Sequence, residues 1–267
     1  MRIGLIGTGN MGSAIIKGYF ATHQGEAWDW FVYDKDEKKL EALSKELGVK
    51  PCQSIGELVE SCNIIIISVK PNNFETVLPE INSSYRSEKI LVSIAAGISM
   101  SYIESFIEAE NPKIVRVMPN TPAMVNKGMT GIAKNKNLTS TEFEPVVGVF
   151  RSIGKAEIIE EALMDAVTGV SGSSPAYTYM FIEALAAGAE ANGMNKEQAL
   201  IFAAQSVLGA AEMVLKTGID PVTLRENVCS PGGTTIEAVK TLQNNGFHEN
   251  VIEALNAAVE KSKFITR

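Results

Sequence analysis

The six residues Gly7-Thr8-Gly9-Asn10-Met11-Gly12 constrain the fold more than any others in the chain. They follow an apolar run, Arg2 to Ile6, that reads as a buried strand. They open an amphipathic segment, Met11 to Ala21, that reads as a helix. A G-x-G-x-x-G turn in that context has a specific physical use. The first glycine permits the tight turn, the second lets a pyrophosphate approach the backbone, and the third lets the helix pack on the strand. A plain strand-to-helix turn is the alternative, and the placement between a strand and a helix argues against it.

The N-terminal half continues in the same pattern. Trp30 to Tyr33, Ile64 to Ser68, Ile90 to Ile94 and Lys113 to Val117 read as further buried strands. Asp36 to Leu47, Ile55 to Ser61 and Ser101 to Glu108 read as helices, the last with a capping-box signature in Ser101 and Glu104. Strands alternating with helices make βαβ units and a mainly parallel sheet. Met129 to Ala133 and Lys155 to Ile159 read as additions to that sheet.

From about residue 162 the pattern is helical only. Ser174-Pro175 reads as an N-cap with proline at the first helical position, opening a helix that runs to Asn192-Gly193. Asn195 with Gln198 opens another through Lys216, stopped at Gly218, and Asp220-Pro221 starts a third. The segments after Pro231 and Gly246 supply the rest. The fold class predicted is therefore α/β: an N-terminal Rossmann-type, mainly parallel sheet with helices on both faces over residues 1–161, then an all-α domain over residues 162–267. The late helices are rich in small residues (Ala184 to Ala191, for example) and apolar over much of their circumference, which points to a dimer or larger assembly.

Composition removes several function classes. A formal net charge of −7 argues against nucleic-acid or anionic-membrane partners. Apolar runs such as Ile64 to Val69 are too short to span a bilayer, and the chain opens on a strand pattern rather than a secretory signal. Cys52, Cys62 and Cys229 fit neither a disulfide framework nor a metal-ligand spacing. His23 and His248 are isolated and read as surface or helix-end residues. The expectation is a cytoplasmic protein with no metal, no nucleic-acid partner and no membrane.

Several segments fall where ligands bind in open α/β sheets, past the carboxyl ends of strands. Asp34 closes the second strand, about twenty residues beyond Gly12, where an acidic residue bonds the adenosine ribose 2′-OH. That chemistry favours NADH and repels a 2′-phosphate. Lys35, Lys38 and Lys39 lie close enough to compensate, and Asp34 could equally only cap the next helix, so NADPH or NADH stays open. Ser68-Val69-Lys70-Pro71, Ala95-Ala96-Gly97 and Met118-Pro119-Asn120-Thr121-Pro122 follow later strands, with small residues that let a flat nicotinamide ring approach. Lys70 reads as a phosphate contact or loop organiser, with a solvated lysine as the alternative. In the helical half, Val228-Cys229-Ser230-Pro231-Gly232-Gly233-Thr234-Thr235 precedes a helix marked by Ile236, Val239 and Leu242. A helix N-terminus with free N–H groups favours an anion. Taken alone, the segment reads at least as well as a turn capped by Ser230.

These motifs, with Gly169-Val170-Ser171-Gly172-Ser173-Ser174-Pro175-Ala176-Tyr177 and the Cys229 to Thr235 loop, together resemble the pyrroline-5-carboxylate reductase family, over essentially the whole length and in the family's order. The resemblance implies a Rossmann domain followed by a helical dimerisation domain that interlocks with a second subunit. It implies reduction of Δ1-pyrroline-5-carboxylate to L-proline by NAD(P)H, the last step of proline biosynthesis. It places the substrate between the nicotinamide site of one subunit and the helical domain of its partner; some members build decameric rings. Carried over by matching position, Ser230, Gly233 and Thr234 would hold the substrate carboxylate, and Thr235 would act on the ring nitrogen as the catalytic residue. Ile6, Gly7, Thr8, Gly9, Asn10, Met11, Asp34, Ser68, Val69, Lys70, Pro71 and Ala96 match cofactor positions, and Asn227 matches a position near cofactor and substrate. Asp34 departs from the small or neutral residue that NADPH-using relatives often carry. Two other readings compete. A β-hydroxyacid dehydrogenase needs a lysine acid/base, for which Lys196 is the nearest candidate in surroundings that do not match. A non-catalytic dinucleotide sensor would have no use for the intact Ser-Pro-Gly-Gly-Thr-Thr loop.

Overall fold

The computed structural model describes residues 1–23 and 28–265. Contacts divide the chain into two compact units. The first is Met1–Ser173 together with the chain from Ala258 onward, and the second is Ser174–Ala257.

The first unit runs β1 (Arg2–Ile6), α1 (Asn10–Thr22), β2 (Asp29–Tyr33), α2 (Glu37–Leu47), β3 (Lys50–Pro51), α3 (Ile55–Ser61), β4 (Ile64–Ile67), α4 (Phe74–Ser84), β5 (Ile90–Ser93), α5 (Met100–Glu104), β6 (Lys113–Met118), β7 (Gly128–Lys134), α6 (Ser140–Arg151), β8 (Gly154–Ile158) and α7 (Met164–Val167). The strands form one sheet in the order β3-β2-β1-β4-β5-β6-β7-β8. All pairs are parallel except β6 with β7.

The pleat explains why these strands are almost wholly apolar. In β4, four consecutive isoleucines are all buried, as expected of a strand covered on both faces. Ile64 and Ile66 join Ile3, Leu5, Ile90 and Val92 on one face, against Ile15 and Ile16 of α1 and Phe143 and Phe150 of α6. Ile65 and Ile67 join Ile6, Leu91 and Ile114 on the other, against Leu58 of α3 and Phe74, Leu78 and Ile81 of α4. The chain lays β2 and β3 to one side of β1, then crosses to β4 on the other. The ends of β1 and β4 therefore diverge into a crevice at the topological switch point.

Three elements escape the sequence pattern. Helices α4 and α6 each contain a proline, Pro79 and Pro145, which removes an intrahelical hydrogen bond and disguises the period. Packing overrides this: Phe74, Leu78 and Ile81 are fully buried, and α6 is closed by a capping box between Thr139 and Glu142. Strand β3 has two residues and is too short to show alternation.

Two expected helix starts are corrected. The cap of α5 is Ser99, whose hydroxyl accepts from the Tyr102 N–H at 3.0 Å, and the helix spans Met100–Glu104 rather than Ser101 to Glu108. Beyond it the backbone tightens, the Phe106 N–H donating to the Ile103 carbonyl and the Ile107 N–H to the Glu104 carbonyl, both at 3.1 Å, and the Asn82 side chain takes the Glu108 N–H at 2.9 Å. Ser174 is likewise no N-cap. Helix α7, a π turn over Thr168–Ser173 and α8 (Ser174–Ala191) follow one another directly. Pro175 cannot donate to the Ser171 carbonyl four residues back, and the Asn120 side-chain amide donates to that carbonyl instead, at 3.0 Å.

The second unit holds α8, α9 (Lys196–Thr217), α10 (Pro221–Asn227), α11 (Thr234–Asn244) and the first part of α12 (Phe247–Ile265). Helix α9 begins and ends as the sequence predicts, capped by Asn195 and stopped by Gly218 at φ +67°. The alanines Ala186, Ala199 and Ala203 form the buried cluster where α8 meets α9. Met180, Ile201, Phe202 and Leu215 are each more than 60% exposed on this single chain. The expectation that every apolar run is too short to span a bilayer fails at α9, which by length and composition is long and apolar enough, with mean hydropathy 1.5. Its many alanines give a steady apolar average without a conspicuous run of large residues. The last turns of α12 return to the first unit. The Ser262 hydroxyl donates to the Asp165 carboxylate at 2.6 Å, and Ile265 packs so closely on Gly97 that a Cβ there would lie 2.9 Å from its Cγ1.

Phe150 is fully buried beneath the sheet. Phe150→Ala is expected to cost about 3–5 kcal/mol, read as a lowered urea midpoint at fixed protein concentration with native-like far-UV circular dichroism below the transition.

Candidate functional site

The crevice at the β1/β4 switch point is built by packing constraints that can be assigned glycine by glycine. Gly7 has φ +94°, and its N–H donates to the Tyr33 carbonyl at 2.8 Å, locking the turn to the end of β2. A Cβ on Gly7 would sit 2.9 Å from the Ser68 carbonyl oxygen. A Cβ on Gly12 would overlap the Gly7 carbonyl and lie 2.9 Å from Ser68 Oγ. Both glycines are thus required by the protein's own packing. Gly9 is different: a Cβ there would meet nothing within 4 Å, and the residue is exposed. Its bare backbone is the N-cap of α1, and no side chain caps that end. The free N–H groups of the first turn and the helix dipole make this a seat for a phosphate group. The open space at Gly9 and the uncapped helix fit a dinucleotide pyrophosphate.

The neighbouring side chains are held in place. Thr8 is buried; its N–H and its hydroxyl both donate to Asp34 Oδ2, at 2.6 and 2.9 Å. Asp34 Oδ1 accepts from the Asp36 N–H at 3.0 Å. Asp36, not Asp34, caps α2, accepting from the Lys38 N–H, which removes the capping alternative for Asp34. Burial pushes the Asp34 carboxyl up, but the Thr8 and Asp36 hydrogen bonds outweigh it and hold the group below the ordinary carboxylate value. The stability it contributes is therefore complete above about pH 3.9, the unfolded value, and fades as pH falls through the lower folded value.

Ser68 to Pro71 and Ala96 complete the edge. The Ser68 N–H donates to the Ile6 carbonyl at 2.8 Å, so the β4 loop is tied to the end of β1. The Ile6 side chain lies in the core, leaving its backbone to face the loop. Lys70 is exposed at the start of a 3-10 turn over Pro71–Asn73. Asn10 is exposed and Met11 partly buried against the core. Cys52 and Cys62 take no part in nucleophilic chemistry: burial, and then Glu57, pushes Cys52 up to about 11, and burial, and then Cys52, pushes Cys62 up to about 12.

Ile6 to Met11, Asp34, Ser68 to Pro71 and Ala96 are all gathered in the first unit. Asn227, Ser230, Gly233, Thr234 and Thr235 lie in the second. There, α10 ends at Asn227 and α11 begins at Thr234 with Gly233 as N-cap. Gly232 has φ +74°, and the Gly233 N–H donates to the Ser230 carbonyl at 3.0 Å. A Cβ on Gly233 would strike Ser230 Oγ at 2.5 Å. Ser230 shapes the turn through its backbone, and no side chain caps α11, contrary to the capped-turn reading. Thr234 and Thr235 are exposed at that uncapped end.

A cleft beyond β2, lined among others by Glu37, Glu41 and Gln53, adds residues that the sequence did not single out. Gly48, in the left-handed conformation after α2, was the available signal that a strand and a ligand-facing edge followed.

An open, mainly parallel sheet with an uncapped glycine loop at its switch point defines a dinucleotide-binding domain of the Rossmann type. Comparison with known proteins narrows the class. Residues 161–265 match the profile for pyrroline-5-carboxylate reductase dimerisation, and residues 2–97 match one described as NADP oxidoreductase, coenzyme F420-dependent. Pyrroline-5-carboxylate reductase of Escherichia coli is 45% identical, the alignment covering 100% of this chain and 98% of that one. The solved structure of a pyrroline-5-carboxylate reductase from Coxiella burnetii superposes with TM-score 0.92 at 33% identity, covering 99% and 98%. The pyrroline carboxylate reductase of Plasmodium falciparum, solved with NADP bound, gives 0.89 at 34%, covering 100% and 98%. The chain belongs to the pyrroline-5-carboxylate reductase family. These are NAD(P)H-dependent oxidoreductases that reduce Δ1-pyrroline-5-carboxylate to L-proline.

The glycines provide a sharp test of the crevice. Gly9→Ala should leave the melting temperature within about 2 °C of wild type, a surface-like effect, while weakening dinucleotide binding at least about tenfold by crowding the pyrophosphate seat. Gly12→Ala should lower the melting temperature as well, because its Cβ has no room. Thermal melts and dinucleotide titration of both variants check this.

Proposed function

We propose that the Ser230 to Thr235 loop is the substrate clamp for the reduction of Δ1-pyrroline-5-carboxylate, and that Thr235 orients the imine nitrogen. The observation that carries this reading is the uncapped start of α11, where a glycine N-cap leaves the first-turn N–H groups without side-chain competition. A small carboxylate there would take N–H groups around Gly233 and Thr234 and would be favoured by the helix dipole. Ser230 fixes the turn through its carbonyl. The Thr235 hydroxyl, one residue into the helix, can both donate and accept, which suits a ring nitrogen that gains a proton as it is reduced.

The bound reduced nicotinamide supplies the hydride. The chain's contribution is position. Thr8 and Asp34 fix the loop at β1; the N–H groups at Gly9 to Met11 would hold a pyrophosphate, and Ser68 to Pro71 with Ala96 would line the nicotinamide. Asn227 stands at the start of the clamp segment and serves cofactor or substrate. Orientation of this kind contributes several kcal/mol of barrier lowering. In this reading residues 1–161 are the dinucleotide-binding domain and residues 162–267 the substrate-binding and dimerisation domain of a cytoplasmic enzyme.

We further propose that a second copy of the chain covers the outward faces of α8 and α9. The second unit buries little beyond its alanine cluster while Met180, Ile201, Phe202 and Leu215 stay exposed. Apolar patches of that kind mark an interface. The match of residues 161–265 to a dimerisation profile favours a protein partner over lipid for α9.

Oxidation of NADH or NADPH in the presence of pyrroline-5-carboxylate, set against 3-hydroxy acids in the oxidative direction, tests the reaction. Thr235→Val should lower kcat at least about tenfold, the equivalent of one hydrogen bond, with dinucleotide affinity unchanged; unaltered turnover would remove Thr235 from its role. Sedimentation velocity without detergent should give a dimer or a larger assembly. Phe202→Glu should shift it toward monomer with a lowered melting temperature, and a monomeric wild-type protein would count against the interface.

A further inference from the structure

We infer that this chain discriminates against the 2′-phosphate and works preferentially with NADH, through the charge of the cleft beyond β2. The inference rests on the first unit being the cofactor-binding unit. The cleft is lined by Tyr33, Asp34, Lys35, Glu37, Glu41 and Gln53, among others. Three carboxylates thus face one ammonium. A further lysine, Lys39, acts on Asp34 and pairs with Asp36 at 3.7 Å, so that with both counted the acidic groups still outnumber the basic ones. A 2′-phosphate with its charge near −2 at neutral pH would enter a region that is already net negative, and like charges at such range repel strongly when partly shielded from water.

The hydrogen bonding points the same way. A carboxylate offers about four acceptor sites. Thr8 N–H, Thr8 hydroxyl and Asp36 N–H occupy three of those on Asp34. The remaining capacity can be used by a ribose hydroxyl, which donates. It cannot be used by an ionised phosphate, which only accepts. The three contacts also prevent the carboxylate from swinging aside. Asp34 is half-buried and held ionised by these bonds, so protonation at neutral pH does not relieve the repulsion.

The experiment is a titration of the full-length protein by calorimetry with 5′-ADP, 2′,5′-ADP, NADH and NADPH. NADH and 5′-ADP are expected to bind at least about tenfold more tightly than their 2′-phosphorylated counterparts, consistent with a close like-charge contact. Asp34→Ser should narrow the ratio by improving binding of the phosphorylated ligands. Because Asp34 also anchors the glycine loop, Glu37→Gln/Glu41→Gln provides a second variant that leaves that anchor intact, and it should narrow the ratio in the same sense. Equal or tighter binding of NADPH and 2′,5′-ADP by the wild-type protein would overturn the inference, as would a ratio unmoved in the double variant. Those results would leave imine reduction standing. Failure to turn over pyrroline-5-carboxylate with either cofactor would instead strike the proposed reaction and leave the binding ratio readable.

Discussion

The close approach of helix α1 to the ends of β1 and β4 is the contact on which the rest of the first unit depends. Gly12 lies against the Gly7 carbonyl and Ser68 Oγ with no room for a methyl group. That approach brings Ile15 and Ile16 down onto Ile3, Leu5, Ile64 and Ile66. It also aims the open end of the helix at the place where the sheet's two halves part. The hydrophobic core and the phosphate seat are therefore one construction. A residue larger than glycine at position 12 would disturb both, whereas at position 9 it would disturb the seat alone.

Asp34 illustrates how one side chain can serve order and selectivity together. Its carboxylate holds Thr8, and so the glycine loop, in the conformation a dinucleotide needs before any ligand arrives. A preformed loop loses little conformational freedom on binding. The same charge, fixed in place, governs which ribose substituent is welcome. Asp34 is thus a hydrogen-bond hub that ties the glycine loop to the start of the next helix.

Much of this was legible in the sequence because local and tertiary signals agreed. The Ile-rich β4, the caps at Asn195 and Asp220 and the stop at Gly218 all behaved as isolated rules predict. The glycine loop was readable because packing requires Gly7 and Gly12, while Gly9 leaves its part of the loop open. What was not legible involved competition between distant parts. Asn82 takes the Glu108 N–H from across the unit, where a longer α5 was expected, and Asn120 supplies the donor that Pro175 lacks. Prolines inside α4 and α6 hid helices that burial of Phe74 and Phe150 sustains. Asp34 left two readings open because nothing local says that Asp36 takes the cap. The exposed faces of α8 and α9 were foreseen from their apolar circumference. Their lengths were foreseen as well, but not that the many alanines of α9 make it apolar enough to mimic a membrane span.

The return of α12 to the first unit has a consequence for how the protein comes into being. Every strand of the sheet lies before residue 160, so the sheet can begin to assemble while translation is still in progress. Yet the surface at Gly97, and the Asp165 carboxylate, receive their covering from Ile265 and Ser262. The first unit is thus sealed by residues the ribosome delivers after the whole helical segment has emerged. A chain cut short between residue 160 and Ala258 carries all the strands of the sheet but an unclosed flank beside Gly97, a mark by which a protease could tell an unfinished molecule from a finished one.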